Sequence, residues 1–207
     1  RYRSPDESDR RTSQVLVEGD VTDPRTLELL RPGRERAAES GAVFERAGSV
    51  SLVSPVTVME SVAAEEDAFA ETFREADTDG DGVPDRNLDG VYAALYDAAP
   101  ERANRVIERS GGEFRSLRMI VPIQPDAKFE TQADEMRAVA AAVGGDGGDG
   151  GDGDALTATA VGPATISEAE SAQTADSILT TLVVALLAVF AMRSEERRVG
   201  KECPSPC

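Results

Sequence analysis

The sequence predicts an α+β fold in which one sheet packs against two helices. Three segments have the alternating or short β-branched pattern of half-buried strands, namely 13–20 (SQVLVEGD), 116–123 (SLRMIVPI) and 156–162 (LTATAVG). A helical pattern follows each of the first two strands. With the weakly strand-like or extended segment 42–55 closing the first half, the chain has two strand–helix–strand halves, an order that favours a two-layer α+β sandwich.

The first helix is expected directly after the first strand. Asp23 can cap its N-terminus and Pro24 suits its first position, so the helix would run to about Ser40. Pro32-Gly33 should break or kink it near the middle, because proline lacks the N–H that a helix interior needs. The residues expected to face inward are Leu27, Leu30 and Ala37 or Ala38.

A helical insertion is expected between the two halves, at about 56–110. Its apolar residues recur mostly at helical spacing, and Gly111-Gly112 would close its last helix. The expected elements are an extended segment at 42–55, helices at 56–76, 88–98 and 100–109, and, after the second strand, a helix at 130–143.

The composition excludes several classes of function. The chain has 39 acidic and 22 basic residues, no histidine and a net charge of −17 at pH 7. Nucleic-acid binding is not expected, because no basic patch is present to neutralise phosphates. An enzyme is not expected either, since a Ser-His-Asp site needs histidine and no phosphate-binding glycine motif occurs.

An acidic, lysine-poor surface is typical of proteins that work in molar salt, although an ordinary acidic protein from a high-GC genome would have a similar composition.

An aspartate-rich loop at 77–85 is the candidate metal site. Its aspartates stand at positions 1, 3, 5 and 9 of a calcium loop, and Gly82 stands at position 6, where such loops turn sharply. The usual bidentate glutamate at position 12 is replaced by Leu88. An acidic loop in a generally acidic protein is the alternative interpretation. The candidate calcium ligands are the carboxylates of Asp77, Asp79, Asp81 and Asp85 and the main-chain carbonyl of Val83.

A second Gly/Asp segment, 144–154 (GGDGGDGGDGD), is expected to be a flexible linker. It matches the opening of the nonapeptide calcium repeat, but it lacks the apolar residue that points inward in each turn of that repeat.

An apolar run from Ile178 to Met192 is expected to be a membrane helix. It spans 15 residues without a charge, whereas a complete bilayer span needs about 20. A buried core helix of a soluble domain is the alternative. The run is followed by RSEERRVGKEC (193–203), which resembles the translation of a sequencing-adapter oligonucleotide, so residues 193–207 are expected to be non-native and the helix truncated. Residues 1–12 are expected to be an irregular, cut end. Both cysteines lie in the tail, so no disulfide or zinc site is predicted from them.

Three segments carry a resemblance to a known family: QVLVEGDVTDPRTLELL, RSLRMIVPIQPDAKFETQADEM, and ALTATAVGPATISEAE leading into the apolar run. Together they resemble the first extracytoplasmic porter domain of the resistance-nodulation-division exporters, and most closely the MMPL-like transporters of halophilic archaea. The resemblance covers about 13–192. It implies a ferredoxin-like porter domain at 13–176 with a helical insertion, and the start of the second membrane helix at 177–192.

The resemblance also implies a function, namely proton-driven export of hydrophobic or amphiphilic molecules. Residues 1–176 would lie outside the cell membrane, and the partners would be membrane lipid, the remaining membrane helices and a second porter domain. The proton-relay carboxylates of the family belong to a later membrane helix, so none is assigned to this chain. The alternative is a calcium-stabilised extracellular binding domain with a single C-terminal membrane anchor.

Overall fold

The computed structural model describes residues 11–46, 49–144 and 156–166, and it confirms the α+β class. A four-stranded antiparallel sheet has the strand order β4-β5-β1-β6. The predicted extended segment at 42–55 contributes no strand to this sheet and instead contains the separate two-stranded hairpin β2-β3. All the elements named here belong to one compact unit, which ends at residue 165. In chain order they are β1 (Thr12–Glu18), α1 (Leu30–Glu39), β2 (Glu45–Arg46), β3 (Ser49–Val50), α2 (Pro55–Ala63), α3 (Asp67–Ala76), α4 (Leu88–Ala98), α5 (Pro100–Val106), β4 (Ile107–Ser110), β5 (Glu113–Pro122), α6 (Phe129–Gly144) and β6 (Thr157–Val161).

Strand β1 lies in the centre of the main sheet. Its residue Val15 is paired with Met119 of β5 on one side and with Ala160 of β6 on the other. Val15 and Val17 are buried while Leu16 between them is half-buried, because successive side chains of a strand point to opposite faces of the sheet. Helices α1 and α6 pack against each other, and α6 also packs on β1 and β6. The buried side of β1 therefore faces a helical layer.

Helix α1 begins later than the sequence predicts. Residues 20–29 form turns, and the Asp23 carboxylate accepts a hydrogen bond from the Arg25 N–H (2.9 Å) instead of capping a long helix. Regular helix starts at Leu30, which places Pro32 in the first turn, where a missing N–H costs nothing. Pro32 thus marks the beginning of α1 and does not kink its middle. Of the two alternatives for the inward alanine, Ala37 is buried and Ala38 is exposed.

The predicted helix at 56–76 is two helices, α2 and α3. Ser54 caps α2 reciprocally with Thr57, because the Thr57 N–H donates to Ser54 Oγ (3.3 Å) and the Ser54 N–H donates to Thr57 Oγ1 (2.8 Å). The chain leaves the helix after Ala63, and Glu66 has an extended backbone (φ −127°, ψ 102°). Helix α3 then starts at Asp67, whose negative charge suits the positive end of the helix dipole.

The predicted helix at 100–109 is wrong beyond Val106. Residues Ile107–Ser110 form β4, which pairs with β5 through a two-residue turn at Gly111-Gly112. Both glycines have positive φ (64° and 91°), which side-chain-bearing residues rarely adopt and which two-residue hairpin turns require. The glycines therefore close a hairpin rather than a helix, because β5 offers Ile107 a partner that local periodicity cannot reveal.

Tyr92 of α4 joins the insertion to the main sheet region. Its ring is fully buried and packs edge-on against Phe114 of β5, with 5.2 Å between centroids. Its hydroxyl donates to the carbonyl oxygen of Val21 (2.9 Å), which belongs to the connection between β1 and α1. Burial raises the pKa of the Tyr92 hydroxyl far above its usual value, so it remains a donor.

Several predictions concern segments that lie outside the described residues. These are residues 1–10 of the N-terminal end, the linker beyond Gly144, the apolar run at 178–192 and the tail at 193–207. Thr12, the last residue of the predicted irregular end, instead begins strand β1. Among the helices that are described, none is both long and apolar enough to span a bilayer.

Candidate metal site

The candidate site is the loop 77–87 between α3 and α4, and the predicted helix–loop–helix arrangement is confirmed around it. The Asp85 N–H donates to the carbonyl oxygen of Ala76 (2.8 Å), which closes the loop where α3 ends. Gly80 and Gly82 have positive φ (79° and 85°), so glycine at these positions lets the chain turn without strain.

Three of the predicted ligands converge. Asp77, Asp79 and Asp81 each offer a carboxylate oxygen, and these oxygens lie within 4.8 Å of one another. Calcium binds oxygen at roughly 2.3–2.6 Å, so two ligand atoms on one ion are separated by at most about 5 Å. The spacing therefore suits a single hard cation shared by the three carboxylates.

Backbone N–H groups orient the half-buried Asp77 carboxylate. It accepts hydrogen bonds from the N–H groups of Gly80 (2.8 Å), Asp81 (3.1 Å) and Gly82 (2.9 Å). The Asp81 carboxylate accepts one from the Val83 N–H (2.9 Å). These bonds fold the loop around Asp77, its first residue, and hold the carboxylates of Asp77 and Asp81 close together.

Arg31 of α1 forms an ion pair with Asp81 from outside the loop. Its guanidinium hydrogen bond is the largest cause that lowers the pKa of the Asp81 carboxyl, and Asp81 in turn raises the pKa of Arg31. Both side chains are substantially exposed, so the pair contributes little to stability. Its importance is positional, because a fixed positive charge already contacts one of the candidate calcium ligands.

The predicted ligand Asp85 is arranged differently from the three converging carboxylates. The Asp85 carboxylate accepts hydrogen bonds from Thr78, at its N–H (3.0 Å) and its hydroxyl, and these bonds lower the pKa of Asp85. It is not among the converging carboxylates. The Val83 side chain is buried, and Leu88, at the position of the usual glutamate, is buried in the core as the first residue of α4.

An open groove of about 500 Å³ lies beside Arg31. Arg34 and Glu35 of α1 line it together with the apolar side chains of Val50 and Leu52. The lining of the groove thus combines apolar side chains with charges of both signs.

Sequence reasoning missed Arg31, which stands 50 residues before Asp81. A lone arginine in a helix gives no local sign of the loop it will contact.

Comparisons with protein-family models, curated proteins and solved structures found no match for this chain. Function therefore has to be argued from the strand arrangement and from the loop.

Proposed function

We propose that the chain supplies the extracytoplasmic porter domain of a proton-driven exporter of the MMPL-like type, which moves hydrophobic or amphiphilic molecules. The observation that carries the proposal is the order of the four main strands, β4-β5-β1-β6, with every neighbouring pair antiparallel. This arrangement supports the ferredoxin-like plan that the resemblance implies.

The strand order is informative because the two halves of the chain are interleaved. The units β1–α1–β4 and β5–α6–β6 each have a strand of the other unit between their own two strands. The ferredoxin-like fold has this kind of split βαβ interleaving, so the strand order supports the proposal. A simple meander of four consecutive strands would have placed sequence neighbours side by side throughout. The fold agrees with a porter domain but is shared by many other proteins, so the transport function also depends on the sequence resemblance.

The helical insertion lies inside the first half, between α1 and β4, and not between the two halves as the sequence predicts. An insertion at this connection is still compatible with the plan. Helices α2–α5 and the β2-β3 hairpin stand between α1 and β4, so the interleaved strands remain in register. The groove beside α1 supplies both apolar and charged contacts, which is the combination that an amphiphilic molecule needs.

The test begins with the genomic sequence that flanks this chain. We expect further membrane helices and a second α+β domain in the same open reading frame. A stop codon soon after a single apolar segment would refute the exporter and support the anchored binding domain. The full-length gene should then be expressed in an efflux-deficient host and its export of a fluorescent amphiphile measured. Export should stop when an uncoupler collapses the proton gradient, whereas uncoupler-resistant export would contradict proton coupling.

A second candidate function, calcium binding that stabilises the domain, is favoured by the convergence of Asp77, Asp79 and Asp81. Isothermal titration calorimetry of the chelator-treated chain with calcium chloride, in molar potassium chloride, tests it directly. Asp79→Ala removes an exposed ligand and should abolish the calcium-binding heat. Asp89→Ala is the matched control, since Asp89 is exposed in the adjoining helix but lies outside the cluster. Equal binding by the two variants, or no calcium uptake by the unmodified chain, would refute this function.

A further inference from the structure

We draw no further inference here: the strongest candidate, the outer edge of strand β6 in the main sheet, has no charged side chain and no paired strand among the described residues, and nothing in the structure shows what covers it.

Discussion

Replacing Gly33 by alanine should destabilise the domain, although alanine favours helices. Gly33 is buried where α1 packs on α6. A Cβ atom at position 33 would lie 2.2 Å from Cγ2 of Val143 and 3.4 Å from both Cε of Met119 and the carbonyl oxygen of Val139. Carbon atoms in contact prefer about 3.5–4.0 Å, so the first distance is more than an ångström too short.

The clash is difficult to relieve. Val143 is β-branched and has one strongly preferred rotamer in a helix, so its methyl group cannot simply turn away. Either the two helices separate or Val143 leaves its preferred rotamer. Overpacking of this kind costs about 1–3 kcal/mol. Alanine recovers at most about 1 kcal/mol of helix propensity, and less than that in the first turn of α1. With a gain of about 0.5 kcal/mol from helix propensity, the expected net loss is about 0.5–2.5 kcal/mol in the free energy of unfolding.

Denaturant unfolding followed by circular dichroism, in molar salt, would measure this loss. Gly41→Ala is the matched control, because a Cβ atom there has no neighbour within 4 Å, and its effect should stay within about 0.5 kcal/mol. The double variant Gly33→Ala/Val143→Ala should be more stable than the sum of the single effects predicts, by about 1 kcal/mol or more. A Gly33→Ala variant as stable as the unmodified chain, or strictly additive effects, would refute the packing argument.

Three further predictions concern the insertion, the loop and the surface. Tyr92→Phe should lower the free energy of unfolding by about 1–2 kcal/mol, because it removes the hydroxyl that donates to the Val21 carbonyl; an unchanged denaturation midpoint would mean that this hydrogen bond is not formed. Arg31→Gln should raise the pKa of the Asp81 carboxyl in an NMR titration, and it should tighten calcium binding in calorimetry, because an internal positive charge no longer competes for that ligand. Calcium binding that is unchanged or weaker in this variant would show that Arg31 does not compete with the ion. Lowering the potassium chloride concentration from about 1 M to about 0.1 M should lower the melting temperature, because the Debye length grows from about 3 Å to about 10 Å and the net charge of −17 is no longer screened. A melting temperature independent of salt would contradict the inferred adaptation to high salt.

The main strands could be predicted because their signal is local. Residues 156–162 largely alternate between apolar and polar side chains, and residues 13–20 contain the short apolar run Val15-Leu16-Val17. Strands β6 and β1 overlap these two ranges. The error at 107–110 has the opposite cause. Those four residues became a strand through pairing with β5, and the glycine pair that follows suits the end of a helix as well as a hairpin turn.

In the candidate site, too, some contacts follow from spacing within the loop and others depend on the tertiary structure. Asp77, Asp79 and Asp81 were predicted to converge because alternate residues of one short loop lie close together whatever surrounds them, and the structure brings them together. Asp85 was predicted with them, but its contact with Thr78 takes it elsewhere. Nothing near Arg31 in the chain indicates that it pairs with Asp81.

The sequence alone determined the class of the fold, three of the four strands of the main sheet, and the loop that gathers three carboxylates. These features depend on side-chain periodicity and on spacing within a few residues. Only the tertiary structure decided that β5 lies between β1 and β4, that α1 begins beside Pro32 and that Arg31 reaches the aspartate loop. Those outcomes depend on contacts between residues distant in the chain, whose free energy is gained only when the whole core assembles.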